Sequence, residues 1–124
     1  MQWQSVRLEL ARTPDFPDGS ASRAYLVHLP LDDDGGVDLD ELKKSRASAT
    51  VRRFWPNERD ISGYVIPTGT GWAFSYRIGD DDDEQLYHLE SHRIAPGEYL
   101  TLREPDGGSL PFRVAQMTPL PGTG

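Results

Sequence analysis

The sequence has no cysteine. This excludes disulfides, thiolate metal sites and a cysteine nucleophile, and it accords with a reducing compartment. It also has no run of about 18 apolar residues of the kind a membrane helix needs. Its opening, MQWQSVRLELAR, lacks the basic stretch and continuous apolar core of a signal peptide. The expectation is a cytoplasmic protein without a membrane segment. Positive charge is in deficit: 13 Lys and Arg stand against 20 Asp and Glu, a net charge of −7. That balance disfavours nucleic acid, whose phosphates need clustered cations. Gly63, Gly69 and Gly71 are spaced as turn glycines with no GK[ST] after them, so there is no phosphate loop, and no serine sits on a nucleophile elbow. We therefore expect no cofactor, no resident metal and no catalytic residue.

What the chain does contain is turn formers and aromatics: 12 Gly and 10 Pro, with three Trp, five Tyr and four Phe, in 124 residues. A chain of this length forms one domain, and this composition favours short strands joined by tight turns. Val6, Leu8 and Leu10 alternate with Arg7, Glu9 and Ala11, the period-two pattern of a half-buried strand. The same reasoning predicts strands over 4–12, 23–31, 49–55, 61–67, 71–78, 86–93, 98–104 and 110–118. Trp72, Phe74 and Tyr76 share one face and are the strongest core candidates. Val51, Arg53 and Trp55 share a face, with Arg52 and Phe54 on the other. The one helix expected lies near 38–46, where Asp38 is a good N-cap, Glu41 completes a capping box, and Lys43 and Lys44 close it against the dipole. The fold class is all-β and mainly antiparallel: a seven- or eight-stranded barrel or barrel-like sandwich with a short peripheral helix, domain 1–118, and a frayed tail 119–124.

Charge is segregated. Six acids lie between Asp32 and Glu41 and five between Asp80 and Glu84, whereas Lys43, Lys44, Arg46, Arg52, Arg53 and Arg59 stand against only Glu58 and Asp60 in the stretch between. Residues 79–85 read as a solvated acidic loop.

The segments VRLELAR, FPDGSASRAYLVHLPLDDDG, VRRFW, GWAFSY, SHRIAPGEYLTL and FRV give the chain its character. In these it resembles a group of short, mainly alphaproteobacterial proteins of unknown function. The resemblance covers nearly the whole chain, implies one compact domain that occurs alone, and implies no activity.

Three constellations have a chemical reading. His88, Glu90 and His92 alternate, as two histidines and a carboxylate on one strand face would. On a straight strand, however, the histidines stand roughly 13 Å apart, too far to share one ion, and ordinary hydrogen-bonded histidines explain them better. Asp32, Asp34, Gly35, Asp38 and Glu41 echo a calcium loop, but Pro30 stands where the first acid belongs and no helix leads in. Arg52 and Arg53 with Trp55, Trp72, Tyr76 and Arg77 offer cations beside rings, the surface of a small barrel that stacks bases. The candidate ligand-binding residues are accordingly Arg52, Arg53, Trp55, Tyr76, His88, Glu90, His92 and Arg93. The leading expectation is a non-enzymatic binding module for a protein partner. A barrel that binds single-stranded nucleic acid or a small ligand ranks second, and a metal-dependent enzyme using His88 and His92 third.

Overall fold

Alternation of apolar and polar residues sorts each strand into an inner and an outer face, and eight such strands wrap into a closed cylinder. They are β1 (Gln2–Leu10), β2 (Ser20–Leu31), β3 (Thr50–Phe54), β4 (Ile61–Pro67), β5 (Gly71–Arg77), β6 (Glu84–Glu90), β7 (Tyr99–Arg103) and β8 (Ser109–Pro119), with helix α1 (Leu39–Lys44) between β2 and β3. In the computed structural model, which describes residues 1–69, 71–77, 84–90, 93–104 and 107–121, each strand pairs antiparallel with the next and β8 pairs back onto β1. Closure satisfies the edge groups that an open sheet would leave unpaired. Irregularities at Arg7/Leu8 and Glu9/Leu10 let β1 bend between its two neighbours.

The interior is apolar and aromatic. Val6, Leu8, Val27, Leu29, Trp72 and Phe74 are all buried, and no polar or charged residue is fully buried among the described residues. Rings meet at its centre: Tyr25 lies 5.1 Å from Phe74 and 5.2 Å from Phe112, and Trp72 lies 5.8 Å from Phe74. On the outer face Glu9 pairs with Arg7 at 2.9 Å and with Arg113 at 3.9 Å. No helix among the described residues is long and apolar enough to cross a membrane.

One end of the barrel is capped. There β2 finishes at Leu31, which bridges Val37, and Leu31, Val37, Leu42 and Ile94 are all buried. α1 packs at this end against β2 and β4. Asp38 caps it, its side chain accepting from the Glu41 N–H at 3.0 Å. The expected capping box is only half built. The Asp38 N–H is already taken by the Pro30 carbonyl at 2.9 Å, so the Glu41 carboxylate turns to the Ser45 hydroxyl instead. Asp32, in the calcium-like stretch, is spent on a turn, its side chain accepting from the N–H groups of Asp34 and Gly36. At the C-terminus β8 runs through Pro119, and the Leu120 N–H donates to the Trp3 carbonyl.

The opposite end is the mouth. It is formed by the β1–β2, β3–β4 and β7–β8 connections together with the ends of β5 and β6. The acidic segment 80–83 falls in the β5–β6 connection, outside the described residues.

Candidate functional site

The mouth gathers side chains from four parts of the chain. Register sets the first pair: Tyr25 stands directly opposite Arg53 across the β2–β3 ladder, and on an antiparallel pair such neighbours share a face. Because Val51 points inward and is buried, period-two alternation carries Arg53 and then Trp55 to the same side. An arginine therefore enters an apolar barrel near its rim, its side chain 15% exposed.

Aromatic rings and an acid hold it there. The Arg53 guanidinium lies 4.1 Å from the centre of the Trp55 ring, and Arg23 lies 5.9 Å from that ring and 4.2 Å from Phe16. Phe16, Arg23, Trp55 and Arg53 thus alternate ring and cation over the mouth, each contact worth about 0.5–2 kcal/mol depending on desolvation. Arg53 Nη1 also pairs with Glu58 Oε2 at 3.5 Å. The turn that returns Glu58 is written in the sequence. Pro56 and Asn57 are its central residues, the Glu58 N–H donates to the Trp55 carbonyl at 3.2 Å, and Asn57 has φ 63°. Pro followed by a left-handed Asn is the type II pattern, and Asn tolerates that conformation better than other residues with side chains.

Beneath this cover lie three tyrosines. Tyr25 and Tyr76 are buried, and Tyr87 meets Tyr76 edge to face at 5.4 Å. Burial pushes the Tyr25 hydroxyl far above tyrosine's ordinary range, with Arg53 beside it working in the opposite direction. Burial raises Tyr76 as well, reinforced by Tyr25 and Tyr87. Both hydroxyls therefore stay protonated and available as donors. Two buried polar atoms here lack a hydrogen-bond partner among the described residues: Arg53 Nε and the Tyr76 hydroxyl. Leaving such a group unpaired costs about 1–3 kcal/mol. Tyr76 is seated by Gly63, where a Cβ would run into the Ser75 carbonyl and stand 2.7 Å from the Tyr76 ring.

Of the residues that the sequence singles out, Arg53, Trp55 and Tyr76 come together. Arg52 does not: it lies on the outer face, pairing with Asp60 at 3.4 Å and lying 5.3 Å from the Phe54 ring. His88 is exposed on β6, opposite Ala73 and Arg103. Glu90 ends that strand opposite Gly71, and His92 lies outside the described residues. Arg93 is exposed at the capped end, where the Ile94 N–H donates to the Gly35 carbonyl. Among the described residues no group of three or more His, Asp or Glu is arranged to hold a metal ion. Phe16, Arg23, Tyr25, Glu58 and Tyr87 escaped sequence reasoning as site residues. Period-two spacing along β2 puts Tyr25 on one face with Val27 and Leu29, but only the β2–β3 register sets it against Arg53.

No protein-family model, no curated protein and no solved structure matches the chain.

Proposed function

We propose that the chain is a non-enzymatic binding domain whose working site is the barrel mouth, and that it takes a small ligand with a flat or apolar body. One observation carries this reading: Arg53 Nε and the Tyr76 hydroxyl are buried without partners among the described residues, beneath a cover of stacked rings and cations. Unpaired buried donors work against stability, and a ligand that accepts from them recovers the loss. Toward the capped end the Trp72 indole N–H is also buried without a partner among the described residues, but it stands alone among apolar side chains, with no cation beside it. Nucleic acid ranks lower, because two guanidinium groups already lie over Trp55 and the net charge is −7.

A protein partner is the second reading. It rests on a 630 Å³ groove along the outer side of β4, lined by Arg46, Ala47, Ser62, Val65 and Ile66 and by the half-exposed Tyr64.

NMR mapping of the labelled protein against a small-molecule fragment set, and separately against cell lysate, tests both. The mouth reading expects fragments to shift the signals of Trp55, Tyr87 and the Arg53 side chain. Shifts confined to Tyr64 and Ile66, seen only with lysate, would replace it with the protein-partner reading.

A further inference from the structure

We infer that the mouth accepts a small organic monocarboxylate, whose carboxylate takes the place of Glu58 on Arg53 and accepts a hydrogen bond from Tyr76. The inference rests on the mouth reading and specifies its ligand.

Arg53 already holds one carboxylate, and holds it loosely. The Glu58 contact is 3.5 Å long and the Glu58 side chain is 51% exposed, so Glu58 can return to water at little cost. The guanidinium is held more firmly: its strand and the Trp55 ring position it in advance of any ligand. A guanidinium offers donors in a planar fork that matches a carboxylate. Here Nη1 is engaged weakly, while Nε is buried and without a partner among the described residues. The Tyr76 hydroxyl, on a side chain 1% exposed, is a second buried donor, and it feels the Arg53 charge.

Charge selects among anions. With Glu58 in place the Arg53 ion pair is neutral, and exchange of one carboxylate for another keeps it so. A phosphate dianion would leave a net negative charge on Arg53 beside the displaced Glu58, and would meet a less favourable site. A neutral amide forgoes the charge-assisted bonds. The partly buried rings beside these donors are Trp55 and Tyr87, which favours an aromatic or short aliphatic acid. Because Arg53 Nε and the Tyr76 hydroxyl are shut off from solvent, uptake requires the Trp55–Glu58 turn to lift.

The test titrates the full chain with phenylacetate, phenylacetamide and inorganic phosphate at matched ionic strength, following the Arg53 Nε–H and Trp55 indole signals by NMR. Phenylacetate should give saturable shifts with an affinity at least about tenfold above that of the amide and of phosphate. Glu58→Gln should tighten phenylacetate several-fold by removing the competitor. Tyr76→Phe should weaken it about fivefold, the worth of one hydrogen bond. Arg53→Met should abolish it. The backbone spectrum of each variant reports whether it folds, and Tyr76→Phe is close to isosteric. Equal binding of phenylacetamide, or stronger binding of phosphate, would overturn the carboxylate assignment and leave the mouth as a ligand site. An unchanged affinity in Glu58→Gln would overturn the exchange. If none of the three compounds moves the Arg53 and Trp55 signals, the inference falls; the mouth reading falls with it only if the wider fragment set is silent there too.

Discussion

The two ends of the barrel solve the same problem with opposite chemistry. At the capped end Leu31, Val37, Leu42 and Ile94 fill the space between strands with aliphatic carbon, with the Trp72 indole N–H the unpaired side-chain donor on that side among the described residues, and backbone N–H groups of the connection are bonded within it and to Asp32 and Asp38. At the mouth the cover is Phe16, Arg23, Trp55 and Arg53, with a half-exposed acid as counterion and two buried donors left unpaired. An end needed only for closure is sealed most cheaply by apolar side chains, because a buried ion pair rarely gains more than its desolvation costs. The mouth departs from that economy, and this departure is what motivates the binding reading proposed for it.

The contrast fixes what substitutions at each end should do. The largest effect belongs to the cap. Leu42→Ala removes a fully buried side chain and should cost about 2–5 kcal/mol in urea unfolding while leaving the Trp55 indole signal in place; a shifted Trp55 would mean that the two ends are coupled.

Next is the alkaline response of the mouth. Tyr25 and Tyr76 hold their protons well above the value of 10.0 that an exposed tyrosine shows. The unfolded chain therefore releases protons that the folded chain keeps, and stability, complete below pH 10, falls as pH rises beyond it. Each tyrosine contributes about 1.4 kcal/mol of loss per pH unit. Denaturant midpoints between pH 9 and 11 measure this, and the steepening above pH 10 should diminish in Tyr76→Phe.

Gly63→Ala should cost about 1–3 kcal/mol, because the added methyl meets backbone at Ser75 and displaces the Tyr76 ring. The Tyr76–Tyr87 ring-current shifts should report the displacement. Asp38→Ala, back at the cap, should cost about 1 kcal/mol through the loss of a single N-cap. A loss of 2 kcal/mol or more there would mean that α1 does more to seal the end than its single buried leucine implies.

The fold was open to sequence reasoning because period-two alternation is local. Residues 61–67 were expected as a strand and β4 has those bounds; the other strands and α1 shift at their ends by a few residues. The inward aromatics of β5 followed from spacing alone. Closure did not, since β1 and β8 meet across the length of the chain. The site was half legible for the same reason. Arg53 and Trp55 declare their face through Val51, two and four residues away. Their partners Arg23 and Tyr25 depend on a cross-strand register that no local pattern specifies, and Glu58 reaches Arg53 only through the Pro56–Asn57 turn. His88 drew notice as a titratable type, yet β6 turns it outward, away from the inward-facing Tyr87.

The most direct measurement of whether the mouth is kept for binding is the unfolding free energy of Arg53→Met. Removing the guanidinium frees Glu58 into water and relieves a buried charge, at the expense of a contact with Tyr25 and a ring stack. Stability should therefore change by no more than about 1 kcal/mol in either direction. A loss of about 3 kcal/mol or more would make Arg53 a structural residue and the mouth merely a second way of closing the barrel.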